Sequence, residues 1–328
     1  MAKIVLGVGT SHSPMLSTPP EQWPEHAKRD LANTKLWAWD GKTHTYEEMV
    51  EMSPSSIAAE LTMDVWREKD AANQAAIAKL GDVIADAAPD VLVIVGDDQH
   101  ELIHDDNMPS LLVYWGEKLL NKPRDRTRMP PSIALAAWGN EFDGEVELDG
   151  QASLGLHIIE SVMAEEFDVA HSKELPDGRG EGHAFGFVHR RVLDGKRIPP
   201  TVPILQNTYY PPTQPLPKRC YAFGNALRRA IESWDSDARV AVLASGGLSH
   251  FVIDEKLDRG VLKALQEKDA DHLRTLPVEL LNSGNSEIRN WITVAGMVED
   301  KDMTLVDYVP CYRSPASTGC AMAFAYWE

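Results

Sequence analysis

The chain has 328 residues, 43% of them hydrophobic and 25% charged, a balance that excludes disordered, collagen-like and disulfide-miniprotein classes and allows a sizeable core. Its 32 Lys and Arg against 50 Asp and Glu leave a formal charge of −18, a field that repels phosphate backbones and anionic lipid and argues against nucleic acid or a membrane surface as partner. Cys220, Cys311 and Cys320 are too few and too odd for a disulfide framework, no secretion signal opens the chain, and no run nears the roughly 18 apolar residues of a membrane span, so a reduced cytoplasm is the expected setting.

Residues 3–8 (KIVLGV) read as a buried strand closed by Gly9. Residues 17–56, with three Trp and several Pro, read as a packed surface excursion that could cover a substrate. A helix is predicted over 57–88, and 90–95 (DVLVIV) is the strongest strand, β-branched and bounded by Pro89 and Gly96. Further strands are predicted at 111–114, 201–205, 239–244, 304–309 and 319–327. Helices are predicted at 154–166, from Pro217 through the following 17 or so residues, and over most of 254–297. With no repeat and no linker, this alternation predicts an α/β fold: one domain, 1–328, with a mixed central sheet covered by helices on both faces and the active site at the carboxyl ends of strands.

Histidines gather at those ends. His12 follows the first strand, His100 follows VLVIVGDDQ, His250 follows RVAVLASGGLS, and His183 sits in a Gly-flanked loop. His26, His44, His157, His171, His189 and His272 lie in polar or helical contexts that suit structural roles. Two chemistries compete for the strand-end group. His100-Glu101-Leu102-Ile103-His104 matches H-E-x-x-H, a zinc hydrolase pattern that needs a helix to put both imidazoles on one face. Asp105-Asp106-Asn107 and Pro109 leave little room for one, so the match reads as accidental. The other chemistry is non-haem iron, which takes two imidazoles and one carboxylate and keeps positions open for substrate and dioxygen.

Five segments, in order, carry a family resemblance: GVGTSHSPM at 7–15, VLVIVGDDQ followed by NMPSLL, EGHAFGF at 181–187, VAVLASGGLSHF at 240–251, and SGNSEIRNW at 283–291. Over most of its length the chain resembles the class III extradiol ring-cleavage dioxygenases, the superfamily of the protocatechuate 4,5-dioxygenase β-subunit. The resemblance implies that His12 and Glu287 bind Fe(II), that His250 is the base that deprotonates a bound catechol, and that His183 is a second acid/base or orienting group. The glycines of the Gly-Gly-Leu-Ser-His segment let backbone approach a bound ring.

One departure stands out. Aligned on Met108-Pro109, the family's Asp-His pair falls on Asp98-Gln99, with His100 one residue later. The second imidazole place can then be filled by His100 through a shifted loop, by Gln99, or by His44. His100 is the expected metal ligand, because an amide carbonyl is a weaker iron ligand than imidazole. The implied partners are a small aromatic diol, such as protocatechuate, gallate, methylgallate or a hydroxylated biphenyl, and O2. A homo-oligomer is expected, with a small accessory subunit left open because some relatives need one. Phe185, Phe187, Tyr209, Tyr210 and Phe251 are candidates to stack on the ring. A zinc hydrolase on the same cluster and a non-enzymatic relative that keeps the metal site are the competing readings.

Overall fold

Every residue of Val91–Gly96 is buried, as a strand covered on both sides must be. The computed structural model describes residues 1–328. The strands used below are β1 (Lys3–Thr10), β2 (Val91–Gly96), β3 (Leu111–Tyr114), β4 (Ala170–Ser172), β5 (Thr201–Gln206), β6 (Arg239–Ser245), β7 (His250–Val252), β8 (Met303–Tyr312) and β9 (Thr318–Trp327). The helices are α1 (Trp23–Leu31), α2 (Met63–Ala87), α3 (Ala152–Ala164), α4 (His183–Phe187), α5 (Pro217–Ser233), α6 (Glu255–Glu267) and α7 (Ile288–Met297).

The strands form one nine-stranded sheet in the order β7-β9-β1-β6-β2-β5-β3-β4, with β8 paired to β9. β1, β6, β2 and β5 are parallel neighbours, while β9 runs antiparallel to β1, β7 and β8, so the sheet is mixed as expected. The two-residue side-chain period splits each central strand between two cores. Val91, Val93, Val95, Val240 and Val242 pack with α3, α5 and α7, whereas Leu92, Ile94 and Leu243 pack with α2 and α4. The three cysteines are buried and free, and no helix is long and apolar enough to cross a membrane.

Two predicted helices are broken. The 57–88 stretch holds a single turn, Ile57–Glu60, and then α2, because Thr62 turns its hydroxyl to the Val65 N–H and starts a new helix. The 254–297 stretch separates into α6, a short helix Ala270–Arg274, turns, and α7, with Pro277 and Gly284 in the interruption. Residues 17–56 are ordered by buried contacts. Trp23 is buried, the Trp39 indole donates to the Ile253 carbonyl at 2.8 Å, and a Thr45/Glu48 capping box starts the helix Tyr46–Met52.

Candidate active site

Parallel register sets Thr10 opposite Ser245 and Val95 opposite Ala244, so three chain segments leave the sheet side by side. His12 lies just past β1, Asp97 just past β2, and the Gly246–Ser249 loop follows β6. They open on a cavity of about 590 Å³ lined by His12, Gln99, Glu101, His183, His250 and Glu287 among others. That size lies within the roughly 300–1,000 Å³ range of small-molecule sites.

Glu287 is brought there by α7. The Trp291 indole donates to the Gly246 carbonyl at 2.9 Å and the Asn290 amide to the Ser245 carbonyl at 2.9 Å, which docks the helix on the end of β6. Gly9 permits this approach, since a Cβ there would meet the Trp291 ring at 2.4 Å. Gly284 is equally constrained, because its Cβ would lie 2.1 Å from His250 Cδ2. The buried Glu287 carboxylate accepts from the Gly247 N–H at 2.7 Å and lies 3.2 Å from both His12 Nε2 and His250 Nε2. Burial opposes charge on both partners, but their mutual attraction wins, holding His250 well above the usual imidazole pKa and Glu287 well below the usual carboxylate range.

Hydrogen bonds to Nδ1 orient each ring. His250 Nδ1 faces the Leu248 carbonyl at 2.8 Å, which can only accept. His12 Nδ1 lies 3.0 Å from Ser245 Oγ, whose own proton goes to the Ala184 carbonyl at 2.6 Å. His183 Nδ1 lies 2.6 Å from Glu101 Oε2, which also accepts the His183 backbone N–H at 2.9 Å. All three Nε2 atoms therefore turn inward. Arg124 pairs with Glu101 at 2.5 Å and with the buried Glu141 at 2.8 Å. Burial disfavours charge on the His183–Glu101 pair, yet their attraction raises His183 to about 10 and lowers Glu101 to about 2.

His100 does not join this group, which corrects its expected placement as a ligand. Its backbone is left-handed (φ 59°), and its ring turns outward to stack on Tyr210 at 3.8 Å and to bond Asp105 at 3.1 Å. Gln99 is the residue that enters the cavity, with its Nε2 3.4 Å from Glu287 and 3.5 Å from Asp97. His44 pairs with Asp40 on the small hairpin and is not on the cavity wall. The H-E-x-x-H segment is not helical, His104 is engaged by Arg179, and Glu101 points to His183, so the zinc-hydrolase pattern has no structural counterpart. Of the five aromatic candidates only Phe251 lines the cavity; Phe185 and Phe187 are core.

The sequence reading missed Asp97, Glu101, Arg124 and Ser245. Asp97 is 1% exposed, its Oδ1 has no hydrogen-bond partner, and burial beside Glu287 pushes its pKa up to about 6. Only its place directly after the strongest strand could have marked it. His12 Nε2 is 3.3 Å from His183 Nε2, 3.8 Å from Asp97 Oδ1 and 3.2 Å from Glu287 Oε2. Donor atoms that share one small divalent ion at about 2.1 Å sit roughly 3–3.5 Å apart. Inward nitrogen lone pairs, an orphaned carboxylate oxygen and two buried carboxylates that balance a double positive charge all fit such an ion.

Residues 53–322 match the family described as the catalytic LigB subunit of aromatic ring-opening dioxygenase. Gallate dioxygenase of Pseudomonas putida is 37% identical over 107 residues, 33% of this chain and 31% of that protein. The 2,3-dihydroxyphenylpropionate/2,3-dihydroxicinnamic acid 1,2-dioxygenase of Rhodococcus jostii is 26% identical over 235 residues, 68% of this chain and 65% of that protein. The protein of that name from Cupriavidus necator is 33% identical over 129 residues, 37% of this chain and 38% of that protein. The chain thus spans from 31% to 65% of the length of these curated relatives.

Proposed function

Because the chain belongs to the family of the catalytic LigB subunit of aromatic ring-opening dioxygenases, we propose that it opens a catechol-type ring beside the diol and places both atoms of O2 in the product, with Fe(II) held by His12 and Glu287. The observation that carries this is Glu287, whose one carboxylate reaches a candidate ligand, His12, and a candidate base, His250, at 3.2 Å each. A ferrous ion, when bound, supplies Lewis-acid and one-electron chemistry toward a chelated diol and dioxygen. With Glu287 committed to a metal ion, the attraction that raises His250 would weaken, and the neutral ring would take the second hydroxyl proton on Nε2. Its Nδ1 is tied to the Leu248 carbonyl, and Glu287 compensates the imidazolium that forms. The Ser245 hydroxyl and the Gly247 N–H keep His12 and Glu287 from turning as that proton moves.

The substrate class is an aromatic diol with an anionic substituent. Three guanidinium groups line the cavity: Arg29, Arg124 and Arg313. Arg313 is committed to Asp30 at 2.7 and 2.8 Å, and Arg124 to Glu101 and Glu141. Arg29, on α1, lines the same cavity and is in no such pair, which leaves it to read a carboxylate. The test is anaerobic loading with Fe(II), then oxygen uptake and product colour with protocatechuate, gallate, 3-O-methylgallate, hydroxylated biphenyls and unsubstituted catechol. Uptake with a yellow ring-opened product supports the reading, and silence across the panel from iron-loaded protein refutes it. Arg29→Ala should raise KM about 10-fold or more for the carboxylated diols and leave catechol unchanged.

A further inference from the structure

The resemblance sets the family's second imidazole place at Gln99, and His100 faces outward. We propose that His183 replaces that imidazole as a metal ligand, so that His12, His183 and Asp97, whose donor atoms lie within 4.8 Å of one another, close round the ion with Glu287 beside His12, and Glu101 with Arg124 aims the His183 ring. This rests on the metal-centre reading above and departs from the acid/base role that the resemblance assigns to His183.

His183 is wired as ligating histidines are, with one ring nitrogen donating to a carboxylate and the other presented inward. Glu101 Oε2 accepts from both Nδ1, at 2.6 Å, and the backbone N–H of the same residue, at 2.9 Å. These two bonds fix ring position and rotation together. Glu101 is held in turn by Arg124, which Glu141 anchors from behind. The result places His183 Nε2 3.3 Å from His12 Nε2. A proton on His183 Nε2 can bridge the two rings, and once it is lost the two neutral rings would point lone pairs at each other, which a shared cation relieves. Asp97 closes the group, with Oδ1 3.8 Å from His12 Nε2 and Oδ2 3.9 Å from His183 Nε2, and that Oδ1 is buried without a hydrogen bond. Gln99 is arranged differently, its amide nitrogen facing the Glu287 and Asp97 carboxylates as a donor. It solvates those carboxylates and does not compete for the ion. One consequence is that, of His183 and His250, only His250 keeps an acid/base role.

The experiment is Co(II) titration of chelator-treated, full-length protein, read by visible absorption and by metal content, with no turnover involved. Wild type should bind one Co(II), His183→Ala should lose on the order of 100-fold or more and show altered bands, and Gln99→Ala should retain binding and lose at least about 10-fold less than His183→Ala. Glu101→Gln, which keeps the ring in place, should lose about 10–100-fold. Free imidazole should restore uptake to His183→Gly. Wild-type affinity and bands in His183→Ala, or loss of binding in Gln99→Ala with circular dichroism unchanged, overturns the assignment while leaving the metal centre intact. If the His183 variants do not fold, Glu101→Gln decides, and wild-type affinity there overturns it too. No metal uptake by the wild type would refute the metal centre itself, and this assignment with it.

Discussion

The two walls of the cavity are held by different forces. One wall, His12, His250 and Glu287, is fixed by groups at or just past the ends of central strands: Ser245 Oγ, the Leu248 carbonyl and the Gly247 N–H. Behind it the buried Asp258 carboxylate accepts from the Ser249 N–H and hydroxyl and from the Tyr308 hydroxyl. The opposite wall, Gln99 and Glu101 on a loop and His183 at the start of α4, is held by charge through Arg124, Glu141 and Arg126. Neutral, backbone-anchored bonds in a dry interior are insensitive to salt and to distant substitutions. Ion pairs that reach the solvent, such as the 36%-exposed Arg124, are weaker and salt-screened. The first wall should therefore carry the steps that tolerate no displacement, and the second should be the one that varies.

The largest expected effects break the first wall. Glu287→Ala should abolish metal retention and reduce ring cleavage by at least about 10³-fold, checked by metal content after dialysis and by oxygen uptake. His250→Ala should keep the metal and lose on the order of 10²–10⁴-fold in turnover, which separates proton transfer from metal holding within the same wall.

The second wall should give a smaller and salt-dependent response. Arg124→Ala leaves Glu101 without its cation and should lower kcat by about 10-fold, and raising ionic strength in the wild type should move activity in the same direction. Little loss on Arg124→Ala would mean that this wall is as rigid as the first.

Asp258 links the first wall to pH. Burial raises its pKa from 3.8 to about 7. The folded chain thus keeps a proton that the unfolded chain releases, and stability falls as pH rises between those values. The contribution is complete below about pH 4 and gone above about pH 7, at about 1.4 kcal/mol per unit across the window. Asp258→Asn, neutral throughout, should remove that slope, so urea midpoints at pH 5 and pH 8 should lie closer together than in the wild type. The smallest effect is expected from His100→Ala, whose ring packs on Tyr210 and His104 and bonds Asp105, and which should leave metal content and turnover within about twofold. A large loss there would place His100 back in the centre.

The sheet was legible in the sequence. Continuous β-branched runs such as 91–95 can be buried on both faces only inside an α/β sheet, and Gly, Pro and Ser mark where they end. The excursion over 17–56 was legible as packed surface from its tryptophans, although its helix and hairpin were not. On the first wall, His12 and His250 were legible because their loops follow strand ends that the sheet dictates, whereas Glu287, on the turn before α7, was named through the family resemblance alone.

What sequence alone determined is therefore the strand-end placement of His12 and His250. Tertiary structure decided which neighbour in a loop faces inward. Gln99 and His100 differ by one position, and the left-handed backbone at His100 sends that ring outward while Gln99 turns to the carboxylates. Glu101 finds its function in His183, 82 positions away. Side-chain direction in an irregular loop depends on φ and ψ and on partners brought in from afar, and neither follows any periodicity that the sequence could display.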